Sequence, residues 1–310
     1  MRRFLKCSEQ GGLEEIPGWE PKAWVNIESP DDQDYELIDN KLKIPRDFID
    51  DIADPDERPR IERNEEGWTF TIIRIPLKAF NHDSARFFTV PMGIIERGDV
   101  RATICMYRTE LVPDLIAHTR QKNIRICSDS DLILRLMFSA TFWFLKYLKD
   151  INDEVNHMSK TLRRSIRNDD LIAMMGLQRV LVYFNTSIKG NELLLDRLTK
   201  VFGQEIDQDL IDDIEVEIKQ ADNTVVVYTD ILSGMMDTYA SIISNNVNDI
   251  MKKMTGVSII LMFPTLIASF YGMNVPVMGG SSSLSFWLIA AGSFALAAIL
   301  YFVLRKIRWL

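Results

Sequence analysis

From Met254 to Leu304 the chain contains no Asp, Glu, Lys, Arg or His, although charged residues make up 26% of the whole. The stretch divides into Thr255 to Phe270 and Leu284 to Leu304, joined by a short link rich in Gly and Ser. About 20 apolar residues at a rise of 1.5 Å match the ~30 Å hydrocarbon core of a bilayer, so the pattern predicts two crossings and a hairpin. A second apolar run, Leu132 to Leu145, contains Arg135 and has the length of a buried core helix rather than a third crossing.

Charge is divided unevenly along the chain. The net charge is −8, and the only charges after residue 249 are Lys252, Lys253, Arg305, Lys306 and Arg308. Removing those five positive charges leaves −13 on residues 1–249. The two basic clusters flank the apolar pair and nothing basic lies between them. The positive-inside rule therefore predicts cytoplasmic termini and an outward link from Met273 to Ser283 in a multi-pass protein of the cell inner (plasma) membrane. Met1 to Gly12 holds basic residues but no apolar run, so no cleavable signal is expected. An acidic body argues against nucleic acid as a partner and suits cations.

Cys7, Cys105 and Cys127 are odd in number and lack CxxC spacing, which fits reduced thiols. His82, His118 and His157 are isolated. We read all six as structural or surface residues. The chain has no Walker A loop, GxSxG or HExxH, so an enzyme is not expected, and neither is an organic cofactor.

The body begins as short apolar alternations: Trp24 to Ile27, Trp68 to Ile75, Phe87 to Ile95 and Val100 to Met106 read as strands, with a helical piece from Asp34 to Ile52 interrupted by Pro45. From Asp129 the period becomes helical. Asp129 to about Ser165 and Asp169 to about Val201 form a hairpin across the polar turn Arg167 to Asp170. The third run carries a heptad seam, Ile211, Ile214, Ile218, Ala221, Val225, Tyr228, Leu232, Met235, Tyr239 and Ile242. Nothing forces a stop between Asp209 and Phe270, although Pro264 should bend the helix. One such helix would run roughly 90 Å.

The expected fold class is thus an α/β cytoplasmic domain, a mixed sheet with helices, followed by a long stalk helix and two C-terminal transmembrane helices. In residue ranges this gives an α/β domain over 1–128, a helical hairpin over 129–203 and a stalk over 204–254. The first crossing then covers 255–273, the outer loop 274–283, the second crossing 284–304 and a basic tail 305–310.

Two crossings cannot enclose a watery path, so transport would need several copies around an axis. The first crossing offers a polar, flexible face for it: Asp237, Ser244, Asn248, Met251, Thr255, Ser258, Met262 and Thr265 recur at steps of three, four or seven. Small polar residues also serve plain helix packing in membranes. The link supplies the second pointer. Tyr271-Gly272-Met273-Asn274, at the end of the first crossing and followed by a second crossing and a basic ending, resembles the Gly-Met-Asn signature of the CorA family of divalent-cation channels. Asp51-Ile52 through Glu57-Arg58-Pro59-Arg60-Ile61-Glu62, and Leu232-Ser233-Gly234 through Asp237, are similar to segments of that family.

The resemblance implies a funnel-shaped homopentamer that takes up Mg²⁺, with Co²⁺ and Ni²⁺ as further candidates, and has itself, divalent cations and the bilayer as partners. It implies a selectivity filter at Gly272, Met273 and Asn274, with Gly272 allowing the chain to turn and Asn274 carbonyls meeting the hydrated ion. Asn248, Met251, Met262 and Asp237 match polar, gating and acidic rings of the pore. Asp213, with Asp50 and Asp51 of a neighbouring subunit, matches a regulatory Mg²⁺ site that holds the pore shut. Val275 to Ser283 carries no acidic residue, unlike many members, so the outer loop would not recruit cations electrostatically. Two rival readings remain at this stage. A zinc transporter of the same superfamily is one, disfavoured by Met273 and by a pore face without His or Cys. A membrane-anchored signalling protein with no ion flow is the other.

Overall fold

Alternating apolar residues near the N-terminus form a seven-stranded mixed sheet with strand order β2-β1-β3-β7-β6-β5-β4. The strands are β1 (Arg2–Cys7), β2 (Leu13–Ile16), β3 (Trp24–Glu28), β4 (Arg60–Arg63), β5 (Thr69–Lys78), β6 (Phe87–Arg97) and β7 (Val100–Cys105). The β3–β7 pair is parallel and every other pair antiparallel. This computed structural model describes residues 1–8, 11–79, 87–126, 128–162, 168–203, 206–273, 283–307 and 309. The chain folds as two compact units, Met1–Gly234 and Met235–Leu310.

The period of two in the strands sorts side chains onto two faces, and both are covered. One face, with Phe70, Ile72, Ile95 and Ile104, packs on a π-helical turn (Leu37–Leu42), which continues α1 (Asp32–Glu36), and on α2 (Arg46–Ala53). Phe48 of α2 stacks on Phe70 with centroids 4.3 Å apart. The interruption expected at Pro45 within Asp34 to Ile52 is present: Lys43 turns left-handed at φ 55° and Pro45 is the N-cap of α2, while α1 runs directly into the π-helical turn. The strands β1, β2 and β4 and the helix α3 (Leu111–Gln121) are additions to the sequence reading.

Against the other face lie α4 (Asp129–Leu162) and α5 (Asn168–Phe202). Phe144 of α4 and Phe184 of α5 meet edge to face at 5.0 Å. Strand β4 stops pairing with β5 at the Arg60–Ile72 pair, so Arg74 lies beyond its partner strand. Asn191 of α5 takes that place: its Oδ1 accepts from Arg74 N at 2.9 Å and its Nδ2 donates to Arg74 O at 2.8 Å. A backbone pair that would otherwise be buried and unmet is satisfied.

The last two helices are α6 (Gln208–Tyr271), unbroken through Pro264, and α7 (Ser283–Lys306). The heptad seam is covered as expected: Ile211, Ile214, Ile218, Ala221, Val225, Leu232 and Tyr239 are buried, and Tyr228, Met235 and Ile242 half-buried. Cys105 is fully buried and its thiol is pushed up to about 12 by burial, which makes it inert. Cys127 and His82 lie outside the described residues.

Candidate functional site

Three described helical stretches are long and apolar enough to cross a membrane, residues 169–202, 208–271 and 286–306. Burial separates them. Within its most apolar window α5 has 39% of its residues buried, because it packs on the sheet, against 6% for each of the other two. In α6 and α7 large apolar side chains face outward in series: Met254, Leu261, Phe270, Phe286, Leu288, Phe294 and Phe302 are each more than half exposed. Such a surface is tolerable in lipid and not in water. Tyr271 and Trp287 sit at one end of the pair and Tyr301 and Trp309 toward the other, as amphipathic rings do at headgroup level.

Burial also gives each apolar helix a covered side. On α6 it comprises buried Gly256 and half-buried Ile259, Ile260, Pro264 and Ile267; on α7, buried Ser293 and half-buried Ile289, Leu296, Leu300 and Leu304. The polar face read from the sequence lies elsewhere. Asp237, Ser244, Asn248, Met251, Thr255, Ser258, Met262 and Thr265 are all exposed. At about 100° per residue, that face points roughly 140° away from the covered side of α6.

Two hydroxyls on this face donate to fixed acceptors. Ser258 Oγ donates to Met254 O at 2.9 Å and Thr265 Oγ1 donates to Leu261 O at 2.8 Å. Each proton is spent on the helix's own carbonyl, so the exposed oxygen can only accept. An acceptor is what the water shell of a cation requires.

At the end of α6, Gly272 is a turn residue that stays out of the left-handed region; its N–H donates to Ala268 O at 3.0 Å and Ser269 O at 3.2 Å. Among the described residues a Cβ there would meet nothing nearer than Ala268 O at 3.4 Å. Met273 follows, 53% exposed, with its N–H 3.4 Å from Phe270 O. Asn274 lies outside the described residues.

The three carboxylates singled out for regulation differ in their surroundings. Asp50 on α2 and Asp213 on α6 are exposed. Asp51 is half-buried and bound by Arg60, whose Nη2 is 2.6 Å from Oδ2. Arg60 also holds Glu57 and, at 2.6 Å, Glu62. Burial pulls its pKa down, but Glu62, Glu57 and Asp51 together outweigh that and raise it. Sequence reasoning missed this clamp, although Arg60 stands between two Glu residues in a segment that resembles the CorA family. Arg74 fixes the intervening loop by donating to Pro55 O and, at 3.2 Å, to Glu57 O. Among the described residues no group of three or more His, Cys, Asp or Glu side chains is placed to hold a metal ion.

A mixed α/β unit followed by a long helix and a second apolar helix defines a membrane protein with C-terminal transmembrane helices. The family model described as CorA-like Mg²⁺ transporter protein matches residues 21–306. The chain belongs to that family, one of divalent-cation transporters and not of enzymes. The cobalt/magnesium transport protein CorA of Methanocaldococcus jannaschii is 24% identical over 294 residues, covering 93% of this chain and 91% of the relative. That of Thermotoga maritima is 24% identical over 301 residues, covering 93% and 83%. In structure, the complete CorA magnesium transporter of Methanocaldococcus jannaschii superimposes with a TM-score of 0.80 at 22% identity, covering 100% of this chain and 99% of that one. Full-length CmaX gives 0.68 at 13% identity, covering 99% and 97%. The cytoplasmic domain of ZntB from Vibrio parahaemolyticus gives 0.60 at 12%, covering 78% and 98%. These three likenesses concern the fold.

Proposed function

We propose that this protein is a homopentameric channel of the inner membrane, with both termini cytoplasmic, that conducts Mg²⁺ inward and closes when cytoplasmic Mg²⁺ binds between subunits. The observation that carries the reading is the polar face of α6. All eight of its residues are exposed and point away from the side that the chain covers, as a face around a shared axis must.

The chemistry suits a hydrated ion. Mg²⁺ gives up water reluctantly, so a filter of neutral acceptors works on its hydration shell rather than on the bare ion. Asn274 carbonyls, one per subunit, form the outer ring, with Gly272 and Met273 completing the filter. Thr265, Ser258 and Thr255 continue the acceptors inward, Asn248 adds a second amide ring, and Ser244 and Asp237 lead to the acidic cytoplasmic end. Met262 and Met251 form apolar constrictions that close by excluding water.

The deciding experiment is Mg²⁺ flux in proteoliposomes. Asn274→Ala should abolish uptake while the protein still elutes as the wild-type oligomer; unchanged flux overturns the filter assignment. Competition among Mg²⁺, Co²⁺, Ni²⁺ and Zn²⁺ in the same assay fixes the preferred ion.

A further inference from the structure

Between α5 and the segment from Asp56 to Arg60 lies a cavity of about 1010 Å³, within the first unit and apart from Asp50 and Asp213. Its charge runs against the rest of the body. Arg58, Arg60, Arg74, Lys189 and Arg197 line it, opposed by Asp56 and Glu57. Arg60 is consumed by Asp51, Glu57 and Glu62, and Arg74 by backbone carbonyls and Thr89. Three cations remain. Arg58 and Arg197 are exposed and have no carboxylate partner among the described residues, and Lys189 reaches Asp222 only at 3.8 Å. Asp56 is the one lining carboxylate that no cation holds among the described residues, so the free charge is positive in a body of −13 over residues 1–249.

Beside these cations is an apolar floor. Val182, Tyr183 and Leu193 are 53%, 47% and 66% exposed on one face of α5. Asn185 adds a buried Oδ1 that receives no hydrogen bond among the described residues. Gly190 makes the groove possible: a Cβ there would come within 2.9 Å of the Pro59 ring, so α5 and the segment can approach only at a residue without a side chain.

We propose that this groove binds a nucleoside polyphosphate, with the base on Tyr183 beside Asn185 and the phosphates on Arg58, Lys189 and Arg197. Arginine forks match phosphate oxygens, and an aromatic ring beside them gives the base a stacking surface. A base bearing an exocyclic amine supplies the donor that Asn185 Oδ1 lacks. Inorganic phosphate alone would leave the apolar floor in water. The volume lies at the upper end of the ~300–1,000 Å³ typical of small-molecule sites.

The test is equilibrium binding to the full chain in detergent, with ATP, inorganic triphosphate and adenosine as separate probes. ATP should saturate, and should bind more tightly than either part alone. Replacing both arginines, Arg58→Gln with Arg197→Gln, should weaken ATP by at least about tenfold, as expected for losing charge-assisted bonds. Tyr183→Ala, which leaves the cations in place, should weaken ATP and leave triphosphate unchanged. An unaltered elution volume and melting temperature show each variant folded. No saturable ATP binding, ATP binding indifferent to the double substitution, triphosphate as tight as ATP, or capture of anionic lipid vesicles without ATP binding would each overturn the proposal. None of these readouts uses ion flux, so the result stands apart from the transport reading.

Discussion

Glu96 is a buried carboxyl at the end of β6, 3% exposed, and its chemistry is decided by what its neighbour prefers. Arg101 Nε lies 3.9 Å from Glu96 Oε1 but 3.1 Å from Asp129 Oδ1, so the guanidinium serves α4 and leaves Oε1 without a hydrogen bond. Burial raises the Glu96 pKa to about 8, Asp129 adds to the rise, and Arg101 and Arg63 oppose it. Between the ordinary value of 4.5 and about 8 the folded state holds a proton that the unfolded state has released. Stability contributed by the neutral buried acid is therefore complete below about 4.5 and lost as pH rises through about 8. Glu96→Gln keeps the neutral shape. Unfolding free energies at pH 5 and pH 9 should diverge more in the wild type than in the variant, by a difference on the order of a few kcal/mol. Equal divergence would show that Glu96 does not titrate in this window. None of this is visible in the sequence, where Glu96 is one acid among 44.

Elements announce themselves in the sequence when one face repeats long enough. The heptad seam of α6 and the uncharged runs of α6 and α7 do so: burial follows the seam, and the uncharged runs form two long helices whose apolar side chains stay exposed. Short elements whose residues are mostly charged do not: β4 is Arg60-Ile61-Glu62-Arg63 and β1 begins Arg2-Arg3, and each takes its strand form from the neighbour it pairs with. The packing of α2, which carries Asp50 and Asp51, depends on a similar hidden feature. Gly93 in β6 faces Ile52, and a Cβ there would lie 2.2 Å from Ile52 Cδ1. Gly93→Ala should therefore push α2 outward and cost about 1–3 kcal/mol, as overpacking of a core does. Pairing it with Ile52→Val, which removes the clashing methyl, should recover part of the loss. If the double variant melts no higher than Gly93→Ala alone, the close approach is not what positions α2. Just past α6, the described surroundings of Gly272 do not explain the residue: its φ is not left-handed and a Cβ would meet only ordinary contacts there.

At the scale of the whole molecule the proposed regulation needs more than one chain. Asp213 stands exposed near the start of α6 beside Asp209 and Asp212, Asp50 stands exposed on α2, and no three ligating side chains gather within the described residues of one copy. Carboxylates of two copies brought face to face repel, and a shared divalent cation converts that repulsion into a bridge. Losing the ion should then loosen the contact and favour the open pore. Asp213→Ala removes the bridge through which Mg²⁺ holds the closed contact, so flux into proteoliposomes should continue at millimolar internal Mg²⁺ where the wild type has closed. The two acids of α2 should not be equal partners. Arg60 already holds Asp51 Oδ2 at 2.6 Å, and a cation recruiting that carboxylate must compete with a guanidinium, whereas Asp50 is unencumbered by Arg60. Asp50→Asn should accordingly shift the closing Mg²⁺ concentration upward more than Asp51→Asn does. Arg60→Gln tests the same logic from the other side: freeing Asp51 should tighten the response, so that closure occurs at lower Mg²⁺. Closure of Asp213→Ala at the wild-type concentration would remove that residue from the switch, and equal shifts for the two α2 variants would mean that the Arg60 pair opens when the ion binds.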